Sequence, residues 1–350
     1  MRPRLPAEWE PQAGAMLAWP HAGTDWAARL DRVEPVFLSI ALAIVRHQHL
    51  LLLCPDETIA ARLRLYLGGQ GIDERRLFTA VVPFDDTWAR DFGPLTVLQG
   101  AQPVLLDFDF NGWGGKYPAE HDHAVTRRLH DAGVFGKLHR RVPGMVLEGG
   151  SLDSDGEGTL LTTCRCLLDP TRNPTLDRHA IERRLAEHLG ARRVLWLEHG
   201  ALAGDDTDGH IDMLVRFGRR DTLLYQACDE PDYPFFDELQ AMQAELHTLR
   251  TPQGRPYRLI PLPWPRPQYG ENGERLPASY ANFLPINHAV LVPVYGDPAD
   301  AVAQRGIRAC YPEREIIPIP CGELIRQHGS LHCLSMQFPA GVEFHAPRAG

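Results

Sequence analysis

Residues 204–217 read GDDTDGHIDMLVRF, a polar loop that runs straight into an apolar strand. A second apolar run, DTLLYQA at 221–227, and a helical pattern at 235–249 follow it. About eleven such short apolar runs occur along the chain, with roughly one helical segment for every two or three of them. A doubly wound sheet alternates strands and helices one to one, so this ratio indicates a different α/β fold. With about 70 residues for each module of two or three strands and one helix, the chain holds about five modules.

The periodicity of apolar residues predicts where the helices lie, and the fourth of them carries start and stop signals in Asp177 and Gly190. Helices are predicted at 34–47, 57–67, 124–132, 178–189, 235–249 and 298–308. Strands are predicted at the apolar runs, among them LLLLC (50–54), MVLEGG (145–150) and EIIPIP (315–320). No low-complexity linker divides the sequence, which predicts one domain over residues 1–350.

The composition bounds the class of protein and its partners. The 350 residues are 44% hydrophobic and 23% charged, as in a soluble globular protein. A net charge of −9 argues against a nucleic-acid partner and is compatible with a cationic ligand. The longest apolar stretch, PVFLSIALAIV at 35–45, is about half the length of a membrane span and predicts a buried helix. No signal-peptide pattern is visible and no Cys pair has zinc-ligand spacing, so we expect reduced thiols in a cytoplasmic protein.

Four polar positions stand out because each borders an apolar run. If HIDMLVRF is extended, His210 and Asp212 point to the same face of one strand. Asp91 precedes a Gly-Pro turn, Glu148 ends an apolar run before two glycines, and Cys333 lies inside one. Each has a structural alternative: His210 is a satisfied polar residue, Asp91 caps a turn or pairs with Arg90, Glu148 is a turn acceptor, and Cys333 is a small core side chain. Asp85 and Asp86, upstream in FDDTWARDFGP, are expected in a solvated loop.

Taken together, the four positions indicate one chemistry. A cysteine nucleophile needs a histidine or a cation to become thiolate, whereas carboxylates raise the pKa of a thiol. Carboxylates beside a Cys/His pair therefore make sense when the substrate is itself cationic. A guanidinium meets this requirement, since it is planar, always charged and bidentate toward carboxylates.

At these residues the sequence resembles the bacterial peptidyl-arginine deiminase family and, within it, the agmatine deiminase group. The similar blocks keep their order over nearly the whole chain, which makes the resemblance specific. They are EWEPQAGAMLAWPH near the start, TWARDFGP, FDFNGWGGKYP (108–118), EGGS, RNP (172–174), GDDTDGHID, LPASYANFLPINHAVLVPVYGDP (276–298) and HC (332–333).

The resemblance implies a fold and a set of site residues. The fold is a five-bladed α/β propeller, or pentein, of ββαβ units around a central channel. The catalytic residues it implies are the nucleophile Cys333, the acid/base His210, the guanidinium-binding Asp91 and Asp212, and Glu148, which orients His210 or supports the cation. The further substrate contacts we expect are Trp88 and Trp113 against the methylenes and, in the loop that Asp205 and Asp208 also shape, Asp206 at the far amine. No metal and no organic cofactor is required.

The implied reaction is hydrolytic deimination of agmatine to N-carbamoylputrescine and ammonia through a covalent cysteine thiouronium. The partner is then a small cationic guanidine, with no nucleic acid and no membrane, and a homodimer is among the assemblies that the sequence allows. Two alternatives stay open. One is a deiminase of another guanidine, including peptidyl-arginine. The other is a guanidine- or polyamine-binding member of the family that does not turn over its ligand.

The sequence departs from the family pattern just before Cys333. Where the family typically has a GGGN-like turn, this chain reads QHGSLHC with Gly329 as its only glycine. A backbone position with positive φ is therefore predicted at His328 or Ser330, at some cost in free energy. The departure concerns the identity of the substrate more than the type of reaction. A lesser departure is NGWGG at 111–115, where the agmatine deiminases usually have NAWGG.

Overall fold

The computed structural model describes residues 2–348; residues 1, 349 and 350 of the predicted domain lie outside that range. The strands are β1 (Pro3–Arg4), β2 (Gln12–Ala18), β3 (His49–Cys54), β4 (Leu77–Val81), β5 (Leu95–Gln99), β6 (Gln102–Leu106), β7 (His139–Arg141), β8 (Asp153–Ser154), β9 (Thr159–Thr163), β10 (Arg193–Leu197), β11 (Val215–Arg219), β12 (Thr222–Gln226), β13 (Arg258–Leu262), β14 (Leu284–Ile286), β15 (Ala289–Val294), β16 (Glu315–Pro320) and β17 (Ser335–Pro339). The α-helices are α1 (Leu30–His47), α2 (Glu57–Gly68), α3 (Ala89–Phe92), α4 (Gly112–Gly115), α5 (Glu120–His123), α6 (Val125–Asp131), α7 (Cys164–Leu167), α8 (Arg178–His188), α9 (Phe236–Thr248) and α10 (Ala299–Cys310). Short 3-10 helices occupy Ala27–Arg29, Glu74–Arg76, Gly149–Ser151, Ile211–Met213 and Leu324–Gln327.

The chain forms two compact units. Unit 1 comprises Met1–Pro3, Glu10–Gly149 and Cys333–Gly350. Unit 2 comprises Arg4–Trp9 and Gly150–His332. The single domain over residues 1–350 stays a prediction.

Two sheets of unit 1 share one order of elements. In the first, β17 and β2 are antiparallel, α1 follows, and β3 returns parallel to β2, with β4 parallel to β3 beyond α2. In the second, β5 and β6 form an antiparallel pair, helices α4 to α6 follow, and β7 returns parallel to β6. Each sheet thus contains an antiparallel pair, a helical crossover and a strand that returns parallel to the second strand of the pair.

Unit 2 repeats the same order in three sheets. The antiparallel pairs are β8–β9, β11–β12 and β14–β15. A third strand then returns parallel to the second strand of each pair: β10 after α7 and α8, β13 after α9, and β16 after α10. The predicted module of two or three strands and one helix is therefore confirmed for β11–β13 with α9 and for β14–β16 with α10, whereas the other three sheets hold more than one helix and the sheet of β2 has a fourth strand, β4.

The predicted helices are confirmed, with ends that differ from the predicted ones by a few residues. Burial of apolar side chains and capping residues explain them, as expected. The apolar run at 35–45 lies in α1, whose Phe37, Ile40 and Ile44 are fully buried beside β2 and β3. Helix α8 begins where the Asp177 carboxylate accepts from the N–H of Ala180, and Gly190 follows its end with φ +75°. Across residues 2–348, no helix combines the length and apolar character that a bilayer span needs.

The strand predicted at MVLEGG (145–150) is wrong. Within this run Val146 makes one isolated bridge to Asp109, and a 3-10 turn begins at Gly149. The reason lies at Gly149, where a Cβ atom would stand 2.2 Å from the carbonyl oxygen of Arg90. The close approach of two backbones, which glycine permits, takes the place of strand pairing here.

Candidate active site

In unit 1, Asp91 is a buried carboxylate held by an indole. It lies in the one-turn helix α3, is 4% exposed, and its Oδ2 accepts from Nε1 of Trp113 at 2.9 Å. The neighbouring Arg90 directs its guanidinium to the side-chain oxygen of Gln337 at 2.5 Å. An indole N–H is a neutral donor, so this hydrogen bond orients the carboxylate without neutralising its charge.

The glycines around Trp113 explain how the indole reaches Asp91. Trp113 has φ +55°, which is unusual for a bulky side chain, and Gly112 before it has φ +66°. A Cβ at Gly112 would lie 2.2 Å from the carbonyl oxygen of Tyr117. The Asn111 side chain accepts from the N–H of Gly114 at 2.9 Å and closes the turn. The departure NGWGG is thus a requirement of this turn, since alanine does not fit at position 112 in this conformation.

The Arg90 backbone joins the segments that carry three predicted site residues of unit 1. The Arg90 N–H donates to the carbonyl oxygen of Cys333 at 3.1 Å. The Arg90 carbonyl oxygen lies against Gly149, the residue after Glu148. Cys333 is 6% exposed and Glu148 is fully buried. The structure therefore brings together the segments that carry Asp91, Glu148 and Cys333, although they are far apart in sequence.

Trp88 belongs to an aromatic pair of unit 1. It is buried, with its ring centroid 6.0 Å from that of Trp26, and the Trp26 indole donates to the Thr87 hydroxyl at 2.9 Å. The packing explains why Trp88 is ordered at the start of α3. Its contact with substrate methylenes, and that of Trp113, stay predictions.

The solvated loop expected for Asp85 and Asp86 is wrong. The Asp85 carboxylate accepts from the N–H of His121 at 2.7 Å and of Asp122 at 3.2 Å, so it caps the turn at Glu120–His123. The buried Asp122 carboxylate accepts in return from the N–H of Asp85 at 2.7 Å. Burial raises the pKa of Asp86 to about 7. The sequence could not reveal this, because the partner segment lies some 36 residues away.

In unit 2, loop 204–212 is shaped by its own aspartates. The Asp205 carboxylate accepts from the N–H of Thr207 at 3.2 Å and of Gly209 at 2.7 Å. Asp208 has φ +67° and pairs with the buried Arg172 at 2.8 Å. Asp206 between them is half-buried. Its predicted role at the substrate amine stays a prediction.

The prediction that His210 and Asp212 share one strand face is wrong. His210 has φ −54° and ψ 136°, Ile211–Met213 form a 3-10 turn, and β11 begins only at Val215. Both side chains are nonetheless buried, at 1% and 0% exposure. The turn follows from tertiary contacts, because the Asn282 amide donates to the carbonyl oxygen of Asp212 at 3.3 Å.

His332, which was not predicted as a site residue, is hydrogen-bonded to Asp212. Nδ1 of the buried His332 lies 2.8 Å from Oδ2 of Asp212, and Nε2 lies 2.8 Å from Oε1 of Glu8. Burial alone would raise the pKa of Asp212. The hydrogen bond from His332 and the positive charges of His332, His210 and Arg216 outweigh it, so the pKa is lowered and Asp212 stays ionised. His332 and Glu8 lie in the HC and EWE blocks, which carry the family resemblance but do not by themselves predict this contact.

The turn before Cys333 has the predicted strained position. His328 has φ +67° and ends the 3-10 turn Leu324–Gln327. Its Nδ1 donates to the carbonyl oxygen of Gly204 at 2.7 Å, at the start of the aspartate loop. The positive φ predicted for His328 or Ser330 is therefore confirmed at His328, and a side-chain hydrogen bond offsets part of its cost.

Known proteins resemble this chain over nearly its full length. The sequence model of the Porphyromonas-type peptidyl-arginine deiminase family matches residues 4–339. The agmatine deiminase of Stutzerimonas stutzeri is 34% identical over 360 residues, covering 96% of this chain and 95% of its own length. A crystal structure from Porphyromonas gingivalis, provisionally called an arginine deiminase, has a TM-score of 0.91 at 48% identity, covering 98% of this chain and 100% of its own. The substrate-bound agmatine deiminase of C. jejuni has a TM-score of 0.88 at 33% identity, covering 99% and 98% of the two chains.

Proposed function

The chain belongs to the Porphyromonas-type peptidyl-arginine deiminase family, and from that membership we propose that it hydrolyses agmatine to N-carbamoylputrescine and ammonia. The observation that carries this proposal is full-length similarity to agmatine deiminases, at 34% identity to the S. stutzeri protein and 33% to the substrate-bound C. jejuni structure. The described residues support it with a cysteine, a histidine and buried carboxylates suited to a guanidinium.

In the proposed binding step, Asp91 and Asp212 hold the guanidinium through its N–H groups. Both carboxylates are buried, so each charge–charge hydrogen bond forms away from water and is strong. Holding the group as a cation keeps its central carbon electrophilic. Binding and activation of the substrate are therefore one event.

In the proposed chemical steps, the Cys333 thiolate attacks the central carbon and a C–S bond forms. The tetrahedral adduct breaks its C–N bond, and His210 donates the proton with which the nitrogen leaves as ammonia. His210 then takes a proton from water, whose oxygen attacks the thiouronium carbon and displaces Cys333. As the C–S bond breaks, the added hydroxyl loses its proton to solvent or to the released ammonia, which gives the neutral ureido product and restores the Cys333 thiolate. Glu148 orients His210 or supports the cation.

The test measures ammonia release from agmatine, free arginine, a blocked arginine peptide and shorter or longer guanidinoalkylamines, with Cys333→Ser as the control. We expect rapid turnover of agmatine and silence from the variant. Turnover of another guanidine alone would keep the mechanism and replace the substrate. Silence across the panel with retained binding of agmatine would favour the non-catalytic member of the family.

A second candidate is the deimination of arginine, free or in peptides. The observation that favours it is the 48% identity with the P. gingivalis structure, whose provisional name is arginine deiminase. The panel separates the two candidates directly. An α-carboxylate distinguishes free arginine from agmatine, so a protein that turns over both at similar rates would lack discrimination at that end of the substrate.

We further propose that the five sheets are the blades of the five-bladed propeller that the family resemblance implies. The recurrence of one ββαβ order in every sheet of residues 2–348 supports this. A crystal structure with the substrate bound would test the arrangement together with the single domain. The cytoplasmic location and the homodimer stay predictions, which cell fractionation and gel filtration would test.

A further inference from the structure

A buried chain of alternating charges runs through unit 2 from Asp212 to Asp153. His332 lies between Asp212 and Glu8, with 2.8 Å on either side. Glu8 also accepts from Nη2 of Arg216 at 2.6 Å, and Nε of Arg216 donates to Asp153 at 3.0 Å. All five residues are at most 8% exposed. Such a buried network is not needed for folding in itself, since apolar residues often do as well.

The two contacts of the His332 ring define its protonation state. A carboxylate oxygen only accepts, so two carboxylates at hydrogen-bond distance call for two N–H donors on one ring. Only the imidazolium has both. The other solution, a proton on one of the carboxyls, is disfavoured because Glu8 already faces the permanent charge of Arg216 and Asp212 faces His210 as well as His332.

The carboxylates of this buried network outnumber its cations by one. When all of them are ionised, Asp212, Glu8 and Asp153 outnumber His332 and Arg216 by one charge, although burial raises the pKa of Asp153. A bound guanidinium would neutralise the excess charge. Without the His332 charge the excess would be two, which a dry interior does not sustain, and one carboxyl would take up a proton.

We propose that His332 is a positioning residue for Asp212: a protonated imidazole, clamped by Glu8, that keeps the Asp212 carboxylate ionised and turned for the substrate. The inference rests on the proposed role of Asp212 as a ligand of the guanidinium. Backbone contacts support it, because the His332 N–H donates to Oδ1 of Asn282 at 2.8 Å and the amide of Asn282 donates to the carbonyl oxygen of Asp212. Asn282 thus fixes the backbone positions of both His332 and Asp212.

Two variants separate charge from hydrogen bonding. In His332→Asn the amide nitrogen replaces Nδ1 and can still donate to Asp212, whereas in His332→Gln it replaces Nε2 and can donate to Glu8. Neither has a positive charge. If the charge is what matters, both variants lose substrate binding at low pH. His199→Gln is the matched control, because His199 contacts one carboxylate, that of Glu245, at the surface of unit 2.

The first readout is the pH dependence of kcat/KM for agmatine between pH 5.5 and 9.5. We expect the acid limb to move up by at least one pH unit in both variants, mostly through KM, with tenfold or greater loss at pH 6 and recovery toward pH 9. The control variant should follow the parent. A loss equal at every pH would indicate a merely structural role and would overturn the inference, as would an unmoved limb.

The second readout needs neither turnover nor a folded variant. Nitrogen NMR of the ¹⁵N-histidine-labelled parent, with His332 assigned, reports whether both ring nitrogens carry protons. We expect both to be protonated, and a neutral ring with one N–H would overturn the inference. If the parent releases no ammonia from any guanidine, the proposed function fails, while the ring signal still decides the state of His332.

Discussion

The backbone N–H of Arg90 donates to the carbonyl oxygen of Cys333 at 3.1 Å. Through this bond the residue before Asp91 is fixed to the predicted nucleophile, and the Arg90 carbonyl lies against the residue after Glu148. The Arg90 backbone thus joins the segments that carry Asp91, Glu148 and Cys333. Fixed geometry of this kind lowers the entropy cost of bringing nucleophile and substrate together.

Replacing Cys333 by serine should abolish turnover while leaving binding intact. A serine hydroxyl is a far weaker nucleophile than a thiolate, and the carboxylates that bind the cation are unchanged. We expect kcat to fall at least about a thousandfold. Calorimetry with agmatine should give a dissociation constant close to the parent KM. Activity within tenfold of the parent would contradict the assignment of the nucleophile.

Replacing Asp212 by asparagine should weaken both binding and chemistry. The amide removes the charge that holds the guanidinium and leaves the buried His332 with one charged partner fewer. We expect kcat/KM to fall by a factor corresponding to about 2–5 kcal/mol. Steady-state kinetics on agmatine measures both constants, and an unchanged KM together with an unchanged kcat would reject the role.

Replacing Gly112 by alanine should impair the site without touching a predicted site residue. Gly112 has φ +66° and no room for a Cβ, so the turn must open and carry Trp113 away from Asp91. We expect a loss of about 1–3 kcal/mol in stability and a rise in KM. Gly115→Ala is the control, because it also has positive φ (+83°) but open space around a Cβ. Equal kinetics for the two variants would show that the Trp113–Asp91 contact does not matter.

The sequence was informative where a local pattern determines the structure. The helices follow from periodicity and the cap at Asp177 from that residue's preference, whereas the positive φ at His328 was predicted by comparison with the glycine-rich turn of the family that the sequence resembles. Predictions from the sequence were wrong where a contact between residues distant in sequence determines the local structure. The 3-10 turn at Ile211–Met213 and the turn at Gly149 both replace predicted strands, because Asn282 and Arg90 meet those backbones. The His332–Glu8 contact joins residues 324 apart, so no local pattern could predict it.

The side chain at position 328 should affect stability through two opposing terms. A non-glycine residue at φ +67° costs about 1–2 kcal/mol, whereas the hydrogen bond from His328 to Gly204 contributes about 1 kcal/mol. His328→Ala keeps the cost and loses the bond, so we expect it to be destabilised by about 1–2 kcal/mol. His328→Gly loses both and should be nearly neutral. Urea unfolding of the two variants measures the difference, and equal stabilities would rule out this account.

Replacing Asp86 by asparagine should stabilise the protein at neutral and alkaline pH. Burial and, less strongly, the nearby charge of Asp25 raise the pKa of Asp86 to about 7, against hydrogen bonds from Thr87 that lower it. The folded state therefore keeps a proton that the unfolded chain releases near pH 4. The free energy of unfolding of the parent thus falls as the pH rises from about 4 to 7.

Asparagine removes this dependence, because it has no proton to lose. One pKa unit corresponds to about 1.4 kcal/mol, so the gain at pH 8 is on the order of a few kcal/mol. Denaturant unfolding at pH 4.5 and pH 8 measures it, and the variant should gain on the parent only at the higher pH. Asp232→Asn, at an exposed carboxyl, is the control and should follow the parent at both values. A gain of the same size at pH 4.5 would point to hydrogen bonding in place of titration.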